Sequence, residues 1–330
     1  MHGRSLTVRV LLIKMSSLGD VVHALPAVSD AAAHGITFDW VVEEAFADIP
    51  ALHPAVNQVI PIAWRRWRKN LKASVAEMAA FRETIASNTY DLVIDSQGLI
   101  KSALVSVLSR AGTHGFSHTC AREPWAAFFY GKAHRVERGQ HAIDRQRQLF
   151  AAALGYSYNP ELLPYIGTLV QAGQRKTQVF LLHGTTWATK HWPPMMWQAL
   201  AEQAIEAGYE PVLTWGDDAE RQRAQQITQA SGARLQDRTA LKFLAPQLAQ
   251  SAGVIGVDSG LTHLAAALGT PTLGLYGPTD GLLTGCRGSH AQILQSSFAC
   301  APCLSSACRY RGAPEQWQSQ DVMPPCFAQL

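Results

Sequence analysis

At 330 residues with 47% hydrophobic side chains, the chain is long enough to bury two cores. Charged residues make up only 16%, and 28 Lys and Arg against 25 Asp and Glu leave a net charge of +3, too weak a bias for a nucleic-acid partner. No apolar run reaches the roughly 18 residues of a membrane span; residues 125–130 fall far short, and 10–13 is too brief for a signal-peptide core, so a cytoplasmic protein is expected.

Strand-length apolar runs alternate with helical patterns, the mark of parallel sheets built from strand-helix-strand units. In the first half the spacing predicts strands over 8–13, 38–42, 59–62, 92–95 and 114–116, and helices over 21–33, 73–86 and 142–154. The first loop is Lys14-Met15-Ser16-Ser17-Leu18-Gly19-Asp20. Its residues suit a helix cap, and they equally suit a base: Asp20 at a strand end can accept a proton from an attacking hydroxyl. The densest charge run, Arg65-Arg66-Trp67-Arg68-Lys69, is either a solvated surface or an anion site near a membrane, with Trp67 partly inserted at the interface. Arg122, Lys132 and His141 would extend that basic set.

After a polar stretch over 155–176 the alternation restarts, with strands over 179–182, 211–215, 254–257 and 272–276 and helices over 195–207, 219–230, 242–251 and 261–268. The domains expected are 1–160, 161–285 and a cysteine-containing tail over 286–330. Two open parallel sheets place a ligand at the carboxyl ends of strands, in a cleft which the two sheets would face. Thr185 and Thr186 with Lys190, just before a proline-initiated helix, can hold a phosphate. Asp258-Ser259-Gly260-Leu261-Thr262-His263 opens another helix and reads as an anion loop or as a capping aspartate beside a packed histidine. Glu220, after a strand, can take ribose hydroxyls or simply favour a first helical turn. Cys300, Cys303, Cys308 and Cys326 crowd the tail; they predict a structural zinc or iron site, or reduced thiols packed as small apolar residues.

These motifs occur in order over residues 8–280, with 38–44, 95–99, 121–124 and 276–280 among them, and together they resemble the ADP-heptose lipopolysaccharide heptosyltransferases of glycosyltransferase family nine, in particular those that add the first heptose. The resemblance implies a GT-B α/β fold of two Rossmann-like domains and an inverting transfer needing no catalytic metal. The donor it implies is ADP-L-glycero-β-D-manno-heptose, held by Thr185, Thr186, Lys190, Glu220, Asp258, Ser259, Gly260 and His263; the acceptor is Kdo-lipid A, held by Arg65, Arg66, Arg68, Arg122 and His141. Asp20 matches the family's general base. The protein would work at the cytoplasmic face of the inner membrane, as a peripheral enzyme. The cysteine tail is instead similar to those of second-heptose and autotransporter heptosyltransferases, where such clusters can ligate iron, so those acceptors stand as alternatives. More remote are a nucleotide-sugar epimerase, a non-catalytic nucleotide-sugar binding module, which would have no use for Asp20, and a nicotinamide dehydrogenase, which lacks its G-x-G-x-x-G after the first strand.

Overall fold

The computed structural model describes residues 8–162, 175–311, 325–327 and 330, and the chain divides into two compact units, Met1–Ile166 and Gly167–Leu330. In the first, β1 (Val8–Ile13), α1 (Leu18–Ala32), β2 (Ile36–Glu43), β3 (Val56–Ile62), α2 (Trp64–Trp67), α3 (Val75–Ala86), β4 (Leu92–Asp95), α4 (Ile100–Ser106), β5 (Gly112–Phe116), β6 (Lys132–His134) and α5 (Ala142–Leu154) follow one another. The second contains β7 (Gln178–Leu182), α6 (Pro194–Glu206), β8 (Glu210–Leu213), α7 (Asp218–Ser231), β9 (Arg234–Leu235), α8 (Leu241–Gln250), β10 (Gly253–Val257), α9 (Gly260–Ala267), β11 (Thr272–Tyr276), α10 (Gly281–Thr284) and β12 (Ala291–Gln295).

Each unit holds one six-stranded parallel sheet. The orders are β3-β2-β1-β4-β5-β6 and β12-β11-β10-β7-β8-β9, the same doubly wound order met twice. In this order the chain reverses its direction of growth between β1 and β4, and again between β7 and β10. There the following loops splay to opposite faces and leave a crevice at the strand ends.

Helices cover both faces of the first sheet, which is why its strands read as unbroken apolar runs. On one face Trp67, Phe81, Ile85 and Val105 pack against Leu11, Val41 and Val93. Against the other, Phe150 of α5 meets Phe38 of β2 at 5.7 Å between ring centroids, and the fully buried Arg147 pairs with Asp30 of α1 at 2.6 Å. Each large side chain so buried contributes about 1.5–3 kcal/mol. In the second unit Trp192, Trp197, Leu213, Ala224 and Ile227 form the core, joined by Cys326 and Phe327.

Periodicity missed α2, α4, α10, β6, β9 and β12. The strands β6 and β9 are only three and two residues long, too short to show alternation. Strand β12 lies inside the expected tail, yet pairs in parallel with β11. Helix α4, Ile-Lys-Ser-Ala-Leu-Val-Ser, has apolar residues on its outer as well as its inner face and so lacks an amphipathic signature.

Candidate functional site

The loops after β1 and β4 meet at the reversal point of the first sheet. Ser17 caps α1, and both its amide and its hydroxyl donate to Asp20 Oδ2, at 2.8 and 3.0 Å. The cap reading of Asp20 is therefore real, and it uses one carboxylate oxygen. The other, Oδ1, lies 3.7 Å from the Lys14 ammonium, outside hydrogen-bond range, and the Asp20 side chain is 35% exposed. Lys14, buried, also donates to the Ser96 carbonyl at 3.2 Å. Gln97 Oε1 accepts from the amides of Met15 and Ser16, clamping the β1 loop to the β4 loop. Asp95, fully buried, accepts from Tyr130, Ser102 and the amide of Gln97 and so holds that second loop in turn. Gly98, with φ of +68°, supplies the left-handed turn which lets its carbonyl accept from Glu123. Lys14, Asp95 and Gln97 lie in sequence motifs, but no motif shows that they and Tyr130 meet; only the strand order brings them together.

Burial alone would push the Asp20 carboxyl up, but Lys14 and the two Ser17 hydrogen bonds outweigh it and hold it below the usual carboxylate range. Arg122 adds to the lowering, which places its guanidinium within charge range of Asp20. The carboxylate is then ionised at neutral pH and protonates only in acid. Removing the Lys14 charge leaves the burial and takes away the largest opposing cause, so the folded pKa rises. Lys14→Met is expected to move the acid limb of the pH–rate profile to higher pH. An unmoved limb in the variant would dissociate Asp20 from the rate.

The basic residues divide. Arg66 is bound to Glu44 at 3.1 Å and Glu77 at 2.9 Å, two exposed carboxylates that already satisfy it. Trp67 is buried, donates to Glu77 at 2.9 Å and packs edge-on against Phe81, so the expectation that it inserts at an interface is corrected. Arg65 and Arg68 are exposed and form no ion pair among the described residues. Both lie within charge range of Lys101 on α4, whose ammonium is lowered first by burial. His141 is buried at the start of α5, where Nδ1 accepts from the Ile143 amide, and its ring stands edge-on to His23. Burial separates it from the exposed Arg65, Arg68 and Arg122.

In the second unit the same topology gathers the loops after β7 and β10. Lys190 Nζ pairs with Asp258 Oδ2 at 2.7 Å and lies over the Trp187 ring at 4.6 Å. His263, one turn into α9, meets Asp258 Oδ1 at 3.1 Å. The Thr185 hydroxyl donates to the Asp258 carbonyl at 3.2 Å, and Thr186 is exposed on the same loop. Burial would raise the Asp258 carboxyl; His263 and Lys190 overcome this and keep it strongly ionised. Ser259 caps α9, leaving first-turn amides of Gly260 and Leu261 that point out of the helix end. After β8, the strand beside β7, Glu220 accepts from the Gly216 amide at 2.7 Å. A Cβ on Gly184 would stand 2.6 Å from Glu220 Oε1, so only glycine lets this carboxylate lie against the β7 loop. An ammonium, helix amides and a carboxylate at the second strand are groups of the kind that suit a nucleoside diphosphate, ammonium and amides for phosphate and carboxylate for ribose.

The expected zinc or iron site is not assembled: among the described residues no three His, Cys, Asp or Glu side chains converge as ligands. Cys300 and Cys303 are exposed and Cys326 is buried, its thiol pushed up to about 12 first by burial and then by the other three sulfurs. Cys326 and Phe327 pack into the apolar core of the second unit.

Residues 78–313 match glycosyltransferase family 9 (heptosyltransferase). The chain is 47% identical over 335 residues to lipopolysaccharide heptosyltransferase 1 of Pseudomonas aeruginosa, covering 98% of this chain and 94% of that protein. Among solved structures it is similar to the Escherichia coli heptosyltransferase WaaC with ADP, with a TM-score of 0.82 and 41% identity over 87% of this chain and 92% of that one. The same enzyme with ADP-2-deoxy-2-fluoro heptose gives a TM-score of 0.80 and 40% identity, covering 88% and 93%.

Proposed function

The chain belongs to glycosyltransferase family 9, the heptosyltransferases, and we propose that it moves L-glycero-D-manno-heptose from ADP-L-glycero-β-D-manno-heptose onto a Kdo hydroxyl of Kdo-lipid A, the first heptose of the lipopolysaccharide inner core. The fold is that of the GT-B enzymes it resembles. The observation that carries the reading is the pair of charged clusters, each at the reversal point of its sheet: Asp20 with Lys14 in one unit, and Lys190 with Asp258 and His263 in the other.

In this reading Asp20 takes the proton from the acceptor hydroxyl, whose oxygen forms a bond to the anomeric carbon while the bond from that carbon to ADP breaks, with inversion. The charge that develops on the departing diphosphate is met by Lys190 and the first-turn amides of α9. Thr185, Thr186 and Ser259 hydrogen-bond the phosphates, Gly260 lets them approach the backbone, and Glu220 takes the ribose. Asp258, kept ionised by His263, aims the ammonium. Arg65, Arg68 and Arg122 bind the acidic groups of the acceptor, at the cytoplasmic face of the inner membrane. No helix among the described residues is long and apolar enough to cross a membrane.

The test is release of ADP from ADP-heptose that depends on added Kdo-lipid A, with the heptosylated product identified by mass. Release without acceptor dependence, or transfer only to a heptosylated acceptor or to a protein, would reject the reading. Arg65→Ala with Arg68→Ala is expected to raise KM for Kdo-lipid A about tenfold or more and to leave ADP affinity unchanged. Arg66→Ala, whose charge is already spent on Glu44 and Glu77, should change KM several-fold less. Donor binding that fails first in the double variant would overturn this division of labour.

A further inference from the structure

Helix α4 turns an apolar face to solvent. Its inward side chains, Ser102, Ala103, Val105 and Ser106, are buried, and the outward ones at the i, i+4, i+7 spacing are Ile100, Leu104 and Val107, 38%, 47% and 47% exposed. A surface helix normally carries polar residues on such an outward face. Beside it the 3-10 turn Pro124–Phe129 packs through Ala126 on Ala103 and is tied by Glu123, which accepts from the Ile100 amide at 2.7 Å. This turn holds the two most exposed aromatic side chains of the patch, Trp125 at 68% and Phe128 at 77%, stacked on each other with centroids 5.6 Å apart. Contiguous apolar patches beyond a few hundred Å² mark interaction sites on otherwise soluble surfaces.

We infer that the face formed by Ile100, Leu104, Val107, Trp125 and Phe128 is the surface by which this protein docks on a bilayer containing anionic phospholipid. Charge selects this occupant. Lys101 lies on the same helix with Arg65 and Arg68 in charge range, and Arg122 stands three residues before Trp125. The nearby carboxylates, Glu123 and Glu43, accept from the Ile100 and Arg65 amides and are outnumbered by the four cations Lys101, Arg65, Arg68 and Arg122. A two-fold contact with a second copy would bring these like charges together, whereas anionic headgroups neutralise them while the stacked rings enter the interfacial layer. The inference rests on the acceptor being a lipid, and it puts the basic residues of acceptor binding next to the bilayer.

The test is co-sedimentation of the full chain with vesicles of phosphatidylethanolamine and phosphatidylglycerol, and with vesicles of phosphatidylcholine alone. Wild type should bind the anionic vesicles, bind phosphatidylcholine less, and lose binding as salt is raised. Trp125→Ser with Phe128→Ser is expected to lower the partition onto anionic vesicles on the order of tenfold or more, and Leu104→Glu to do so independently. Because these side chains face solvent, the variants should keep ADP affinity and wild-type transfer to a deacylated, water-soluble Kdo acceptor. Variants that bind vesicles as wild type does, wild type that binds neither vesicle, or a concentration-dependent dimer abolished by the substitutions would overturn the inference. Failure of wild type to transfer heptose to the soluble acceptor would instead count against the functional reading and leave the vesicle result standing.

Discussion

Asp20→Asn is expected to lower the turnover number on the order of a hundredfold or more, while ADP binds as it does to the wild type. Asparagine keeps an oxygen where Oδ2 accepts from the Ser17 amide and hydroxyl, so the first turn of α1 stays capped. What disappears is the ionised oxygen near Lys14, the one not committed to the cap. Buried Lys14 loses its counter-charge but retains the Ser96 carbonyl, so a stability loss of about 1–2 kcal/mol is expected, well short of unfolding. Steady-state transfer together with calorimetric titration of ADP separates the effects. Turnover within a fewfold of wild type would reduce Asp20 to a capping residue.

Lys190→Ala is expected to weaken ADP-heptose binding tenfold to a hundredfold, corresponding to about 1.5–3 kcal/mol for a charge-assisted contact, and to slow turnover by on the order of a further hundredfold. Both quantities fall because the same ammonium meets the ground-state diphosphate and the greater charge it carries on leaving. Its position is set by the 2.7 Å contact with Asp258 and the Trp187 ring beneath it. Lys190→Arg keeps the charge but not the compact shape and should recover part of the binding with less of the rate. Unchanged donor affinity and rate in Lys190→Ala would leave this residue as a structural partner of Asp258.

Amphipathic spacing located α1, α5, α6, α7 and α9 to within a few residues, because each buries one face on a sheet and its sequence must show that period. The strands through the middle of both sheets were equally legible, since burial on both faces demands continuous apolar runs. Helix α4 and the edge strands β6, β9 and β12 were not. The former is apolar on its outer face too, and the edge strands β6 and β9 are too short to alternate. The basic run showed its composition and nothing of its partners: Glu77, ten residues beyond Trp67, turns that tryptophan inward and occupies Arg66. His141 reads as a polar residue before a helix, and only the packing of α5 on α1 buries it. The four clustered cysteines share a short stretch, yet among the described residues they do not converge as ligands, and Cys326 packs with Phe327 in the apolar core.

The sequence by itself determined that there would be two parallel sheets and that their loops would carry Asp20, Lys190, Glu220 and Asp258, because helix caps and phosphate-facing turns are local and leave their residue types in order along the chain. Only the tertiary structure decided which of these side chains meet. Strand order brings the loop after β1 against that after β4, and the loop after β7 against that after β10, across 82 residues in the Met15–Gln97 contact and 73 in the Thr185–Asp258 contact. Such contacts form where the sheet reverses its growth and arise from chain topology, which no local spacing encodes.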